Sequence, residues 1–106
     1  MENEKRALSL LGIAMRAGQV TSGDSMCERE VRAGRAALVL LDAGVSANTR
    51  GKYAAMCAHH RVPLAVISAD ALGRAIGKDN RMVAALPKGT FAEKIWTSLS
   101  SDNEIP

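Results

Sequence analysis

Residues 36 to 41 read Ala-Ala-Leu-Val-Leu-Leu, an aliphatic run preceded by Gly34 and closed by Asp42 and Gly44. A strand with one face in water alternates apolar and polar residues, because successive side chains point to opposite sides of the sheet. A run with no alternation is buried on both faces, so layers must cover the sheet above and below. Leu64 to Ile67 and Arg81 to Leu86 are further short apolar runs, and Gln19 to Ser22 offers a short extended link or another strand.

Helical signals fill the gaps between these runs. Asn3 is a cap candidate for a first helix, with Leu8, Leu11 and Met15 as its apolar stripe and Gly18 at its end. Ser22 to Asp24 supply small polar N-caps for a second helix of about three turns, Ser25 and Glu28 have capping-box spacing, and Gly34 suits its close. Ser46, Asn48 and Thr49 are cap candidates for a third helix, which brings Tyr53, Met56 and Cys57 into register and stops at Val62-Pro63. A fourth runs from Ser68 or Asp70 to Gly77. Thr90 and Glu93 form a second capping-box pair before Phe91, Ile95 and Leu99 of a last helix. Helices that alternate with short buried strands predict an α/β sandwich with helices on both faces of a small sheet.

A chain of 106 residues that is 47% hydrophobic is long enough for one core and too apolar to be disordered. One domain over residues 1–100 is expected, with 101–106 as a flexible tail. No apolar run reaches the ~20 residues of a membrane span, and acidic residues in MENEKRALSLLG exclude a secretory signal, so a cytoplasmic protein is expected. The formal charge of +3 is too small for indiscriminate coating of nucleic acid, so an anionic partner would need a localised patch.

Signs of catalysis are sparse. Cys27 and Cys57 lack C-x-x-C pairing and fall on inward helix faces, which predicts reduced core thiols. Gly73 to Asp79 has only three residues between its glycines where a P-loop needs four, and Asp79 would repel phosphate; a helix closed by Gly77 is the simpler reading. The adjacent His59 and His60 point ~100° apart on a helix and cannot share a metal as an i, i+4 pair does. Cys27 with either histidine is the remaining enzymatic option, and no metal or cofactor is implied.

The second helix sorts by face. Ser25, Arg29 and Arg32 line one side, and Cys27 and Val31 the other. The outer stripe begins at a helix N-terminus whose free N–H groups favour an anion, and Gly23 lacks a side chain that would hold a nucleic-acid backbone away. Arginine can fork onto phosphate or a guanine edge. Glu28 and Glu30 dilute this charge, so these features alone admit both nucleic-acid contact and an ordinary solvated face.

LGIAMRAGQVTSG, LLDAGVSANT, KYAAMCAHHRVPL and above all ALGRAIGKDNRMVAAL resemble the L7Ae-type ribosomal protein family, which binds kink-turn RNA, and its small bacterial YlxQ-like branch. The resemblance runs from about Leu10 to Ile95. It implies a three-layer α-β-α sandwich around a small mixed sheet of about four strands, and a non-enzymatic monomer bound to structured RNA, notably ribosomal RNA. It maps the RNA site onto Ser22, Gly23, Asp24, Ser25, Met26 and Arg29, and onto the loop Lys78, Asp79, Asn80, Arg81 and Met82. Kink-turns bend sharply beside non-Watson–Crick G·A pairs, and family members meet those pairs with a Gly-x-Asn-Glu helix start. Here Ser25-Met26 stands in place of Asn-Glu, and Arg29 in place of a lysine, which retains the charge with a different donor geometry. A protein-interaction adaptor on the same fold, with a degraded RNA surface, is the alternative.

Overall fold

A computed structural model describes residues 2–100; the tail expected at 101–106 lies outside the described residues. The elements are α1 (Glu2–Arg16), β1 (Thr21–Ser22), α2 (Asp24–Arg32), β2 (Ala36–Asp42), α3 (Ala47–His60), β3 (Leu64–Ile67), α4 (Ala71–Ile76), β4 (Val83–Pro87) and α5 (Thr90–Ser100). The strands form a four-stranded mixed sheet in the order β1-β4-β2-β3. β4 is antiparallel to both β1 and β2, whereas β2 and β3 are parallel and therefore need α3 as their crossover.

The aliphatic run of β2 is central, and its two faces build separate cores. Leu38 and Leu40 pack with Ala7, Leu11, Leu72 and Ile95 in a layer formed by α1, α4 and α5. Val39 and Leu41 pack with Cys27, Val31, Tyr53 and Met56 from α2 and α3. β4 divides likewise, with Ala84 and Leu86 on the first side and Val83 and Ala85 on the second. The expected three-layer sandwich is thus the observed fold, and its chemistry is legible in β2: two covered faces leave no position for a polar side chain before Asp42.

Several ends differ from the sequence reading. α1 spans Glu2–Arg16, which places Asn3 inside its first turn rather than before it. Gly23, within the expected Ser22–Asp24 segment, is the N-cap of α2, and it makes no side-chain cap bond. The expected Ser25–Glu28 box gives way because Glu28 accepts hydrogen bonds from Arg32 and Lys52. α2 has nine residues, shorter than the three turns expected. α3 follows expectation: the Ser46 hydroxyl accepts the Thr49 N–H at 3.2 Å. Thr90 is the first residue of α5, and the Gly89 carbonyl accepts the Glu93 N–H. β4 starts at Val83, two residues later than the apolar run, because Asn80 at φ +60° turns the chain and leaves Arg81 and Met82 in a loop.

Candidate nucleic-acid interface

β1 is only two residues long, yet it positions the whole surface. Thr21 pairs with Ala85 and Ser22 with Ala84, and the next residue, Gly23, donates its N–H to the Val83 carbonyl at 3.0 Å. The start of α2 is thereby laced to the strand that leaves the Lys78–Met82 loop. Gly23 has φ +96°, and a Cβ placed on it would lie 2.8 Å from Nη1 of Arg81. Glycine is required here by backbone conformation, and the absence of a side chain lets the Arg81 guanidinium rest on it.

Around this junction Ser25, Met26, Arg29, Lys78, Asp79 and Asn80 are exposed, while Ser22, Arg81 and Met82 are half-buried. Met26 is 48% exposed, unusual for a large apolar side chain. Asp24 is committed elsewhere. Lys52 Nζ donates to its Oδ1 at 2.7 Å and its Oδ2 at 3.0 Å. The Tyr53 hydroxyl, 2.8 Å from the Asp24 carbonyl oxygen and 2.9 Å from Oδ1, shares one proton between them. The Lys52 hydrogen bond, helped by Tyr53 and opposed by partial burial, holds the Asp24 carboxyl below its usual range.

The acids that dilute the patch in sequence are masked in space. Glu28 accepts from Arg32 Nε at 2.9 Å and from Lys52 Nζ at 3.1 Å. Glu30 accepts from Arg35 Nη2 at 2.7 Å. Hydrogen bonding to these cations, Arg32 first for Glu28 and Arg35 for Glu30, keeps both carboxyls below the usual range. Among the described residues Arg29 and Arg81 have no carboxylate within ion-pairing distance. Together with Lys78, which is likewise without an ion pair among the described residues, they are cations of this surface that remain available to an outside anion.

Two supports were not foreseen. Asp42 is 1% exposed; its Oδ1 accepts the N–H groups of Gly44 at 2.9 Å and Asp70 at 3.0 Å, and its Oδ2 that of Leu72 at 3.2 Å. Its own N–H donates to the Met82 carbonyl at 2.9 Å, so one residue ties the end of β2 to the start of α4 and to the loop. Gly73 is the other: a Cβ there would meet the Lys78 carbonyl oxygen at 2.5 Å, so the loop can fold back only over glycine. An aspartate ending a buried strand beside a glycine turn is the sequence signal that marks the first. Between these supports lies an open hollow of about 400 Å³ bordered by Asp42, Asp70, Arg74, Lys78, Arg81 and Met82.

The thiol option for catalysis fails on chemistry. Cys27 is fully buried with Sγ 3.3 Å from the Thr21 carbonyl oxygen, and burial pushes its pKa up to about 12. Cys57 is likewise buried and free. His59 and His60 meet edge to face at 4.9 Å between ring centres, and no cluster of three metal-ligating side chains occurs among the described residues. No described helix is long and apolar enough to cross a membrane.

These elements define a small three-layer α-β-α sandwich that presents Arg29, Lys78 and Arg81 along one ledge. The chain belongs to the ribosomal protein L7Ae/L30e/S12e/Gadd45 family, whose profile matches residues 5–95. It is similar to the RNA-binding protein YlxQ of Bacillus subtilis (strain 168), with 42% identity over 85% of this chain and 91% of that one. The RNA-binding protein YlxQ of Enterococcus faecium is 29% identical over 87% of this chain and 89% of its own. A structure of a Bacillus halodurans C protein of unknown function superposes with a TM-score of 0.85 at 33% identity, covering 89% of this chain and 96% of that one. The Giardia lamblia 15.5kD RNA binding protein shares the fold, with a TM-score of 0.80 at 20% identity, covering 95% and 88% of the two chains.

Proposed function

We propose that this chain is a non-enzymatic RNA-binding protein, acting as a cytoplasmic monomer through a single domain over residues 1–100. Its ligand is a bent, kink-turn-like RNA element, ribosomal RNA foremost, held between the Ser22–Arg29 segment and the Lys78–Met82 loop. The observation that carries this reading is the Arg81 guanidinium lying over Gly23, which merges two segments distant in sequence into one cationic ledge. The names of the YlxQ relatives point the same way. Arg29 reaches phosphate or a guanine edge, Ser25 offers a small hydrogen-bonding group, and Lys78 and Arg81 hold the backbone. Asn80 and Met82 flank the sugar and base, and Gly23 with Asp24 lets the backbone approach.

Gel-shift titration of a kink-turn RNA tests this. The double variant Arg29→Ala/Arg81→Ala is expected to bind at least ~10-fold more weakly, with a salt slope shallower by about two. Unchanged affinity and slope would overturn the reading. One observation favours a second reading, a protein-interaction adaptor on the same face: Met26, in the first turns of α2, is an exposed apolar side chain. Partners that persist in a pull-down after ribonuclease treatment would decide for the adaptor, and partners lost on digestion for RNA.

A further inference from the structure

Asp24 and Glu28 draw their shared cation from a different helix. From Asp24 to Arg35 the chain carries three acids, Asp24, Glu28 and Glu30, and three arginines, Arg29, Arg32 and Arg35, so its formal charges cancel. Lys52 of α3 bonds two of these acids at once and tips the local balance to positive. Asp24 stands between Gly23 and Ser25, so a bare carboxylate there lies well inside the ~8 Å Debye length of any phosphate on the ledge. Lys52 also works beside Tyr53, and these consecutive residues grip the first residue of α2 by its carboxylate and its carbonyl.

We propose that Lys52 is a positioning residue for RNA binding: without touching RNA, it cancels the Asp24 and Glu28 carboxylates beside the ledge. The inference rests on the reading that RNA occupies the α2 ledge. Lys52 is partly solvated whereas Tyr53 is fully buried, so replacing the lysine leaves the core anchor intact and the variant folded.

The test is a titration of the full chain with a kink-turn RNA at about 0.1 M salt, with thermal melts as a folding control. Lys52→Gln is expected to bind about fivefold more weakly, and Lys52→Arg to keep most of the affinity. Adding Asp24→Asn and Glu28→Gln to Lys52→Gln should return binding to within about twofold of the unaltered chain, because the charges that needed cancelling are gone. A lost structural tether or a lost lysine–phosphate contact cannot be repaired that way. Wild-type binding by Lys52→Gln, or a triple variant as weak as the single one, overturns the proposal. The Arg29→Ala/Arg81→Ala variant in the same titration separates the two ideas. If it binds like wild type, the ledge reading falls and takes this proposal with it; if it loses binding while Lys52→Gln does not, only the role of Lys52 falls.

Discussion

Gly23 is the residue on which most depends. With φ +96° and ψ 145° it occupies a region that side chains rarely tolerate, and the guanidinium tip of Arg81 occupies the space a methyl would take. Gly23→Ala should cost about 1–3 kcal/mol in urea unfolding and should also displace Arg81, lowering RNA affinity beyond what the stability loss explains. The sequence reading assigned glycine here an open approach for a nucleic-acid backbone, and the structure adds a reason internal to the protein. Asp42 shows the opposite limit. An aspartate closing a buried strand beside a glycine turn can be read locally, but its partners, the N–H groups of Asp70 and Leu72 some thirty residues away, cannot.

At the level of elements, α2 combines what was legible with what was not. Its buried side, Cys27 and Val31, follows from helical periodicity, because burial repeats every three to four residues. Its cap does not, since Ser25 and Glu28 have the spacing of a box while the glutamate is claimed by Lys52 from α3. β1 was only half legible, as a link or a strand, because two residues become a strand solely by pairing with β4. The ion pairs of α2 also carry a pH signature. Asp24, Glu28 and Glu30 titrate below their ordinary values of 3.8 for Asp and 4.5 for Glu, so the unfolded chain binds protons first as pH falls. Their stabilisation is therefore complete above about pH 5 and is lost as acid passes through the lowered values. Urea midpoints measured from pH 6 to pH 3 should fall, and Lys52→Gln should flatten chiefly the part due to Asp24, because Arg32 still holds Glu28.

On the scale of the molecule, the sandwich gathers a cationic ledge from a modest net charge of +3. The α/β alternation and both cores were legible because apolar runs that lack alternation have few places to go. The meeting of the two ledge segments came from family resemblance and not from pattern, since sixty residues separate Gly23 from Val83. Leu40 ties the sheet to the layer of α1, α4 and α5 and is 1% exposed. Leu40→Ala should cost about 3–5 kcal/mol, read as a lower denaturant midpoint with an unchanged slope. The Gly23–Val83 bond has a temporal corollary. During translation α2 is made well before β4, so a partly synthesised chain holds arginine without the platform that aims it. The ledge is therefore completed late, when β4 emerges from the ribosome's exit tunnel, pairs with Gly23 and lets the Arg81 guanidinium settle upon it.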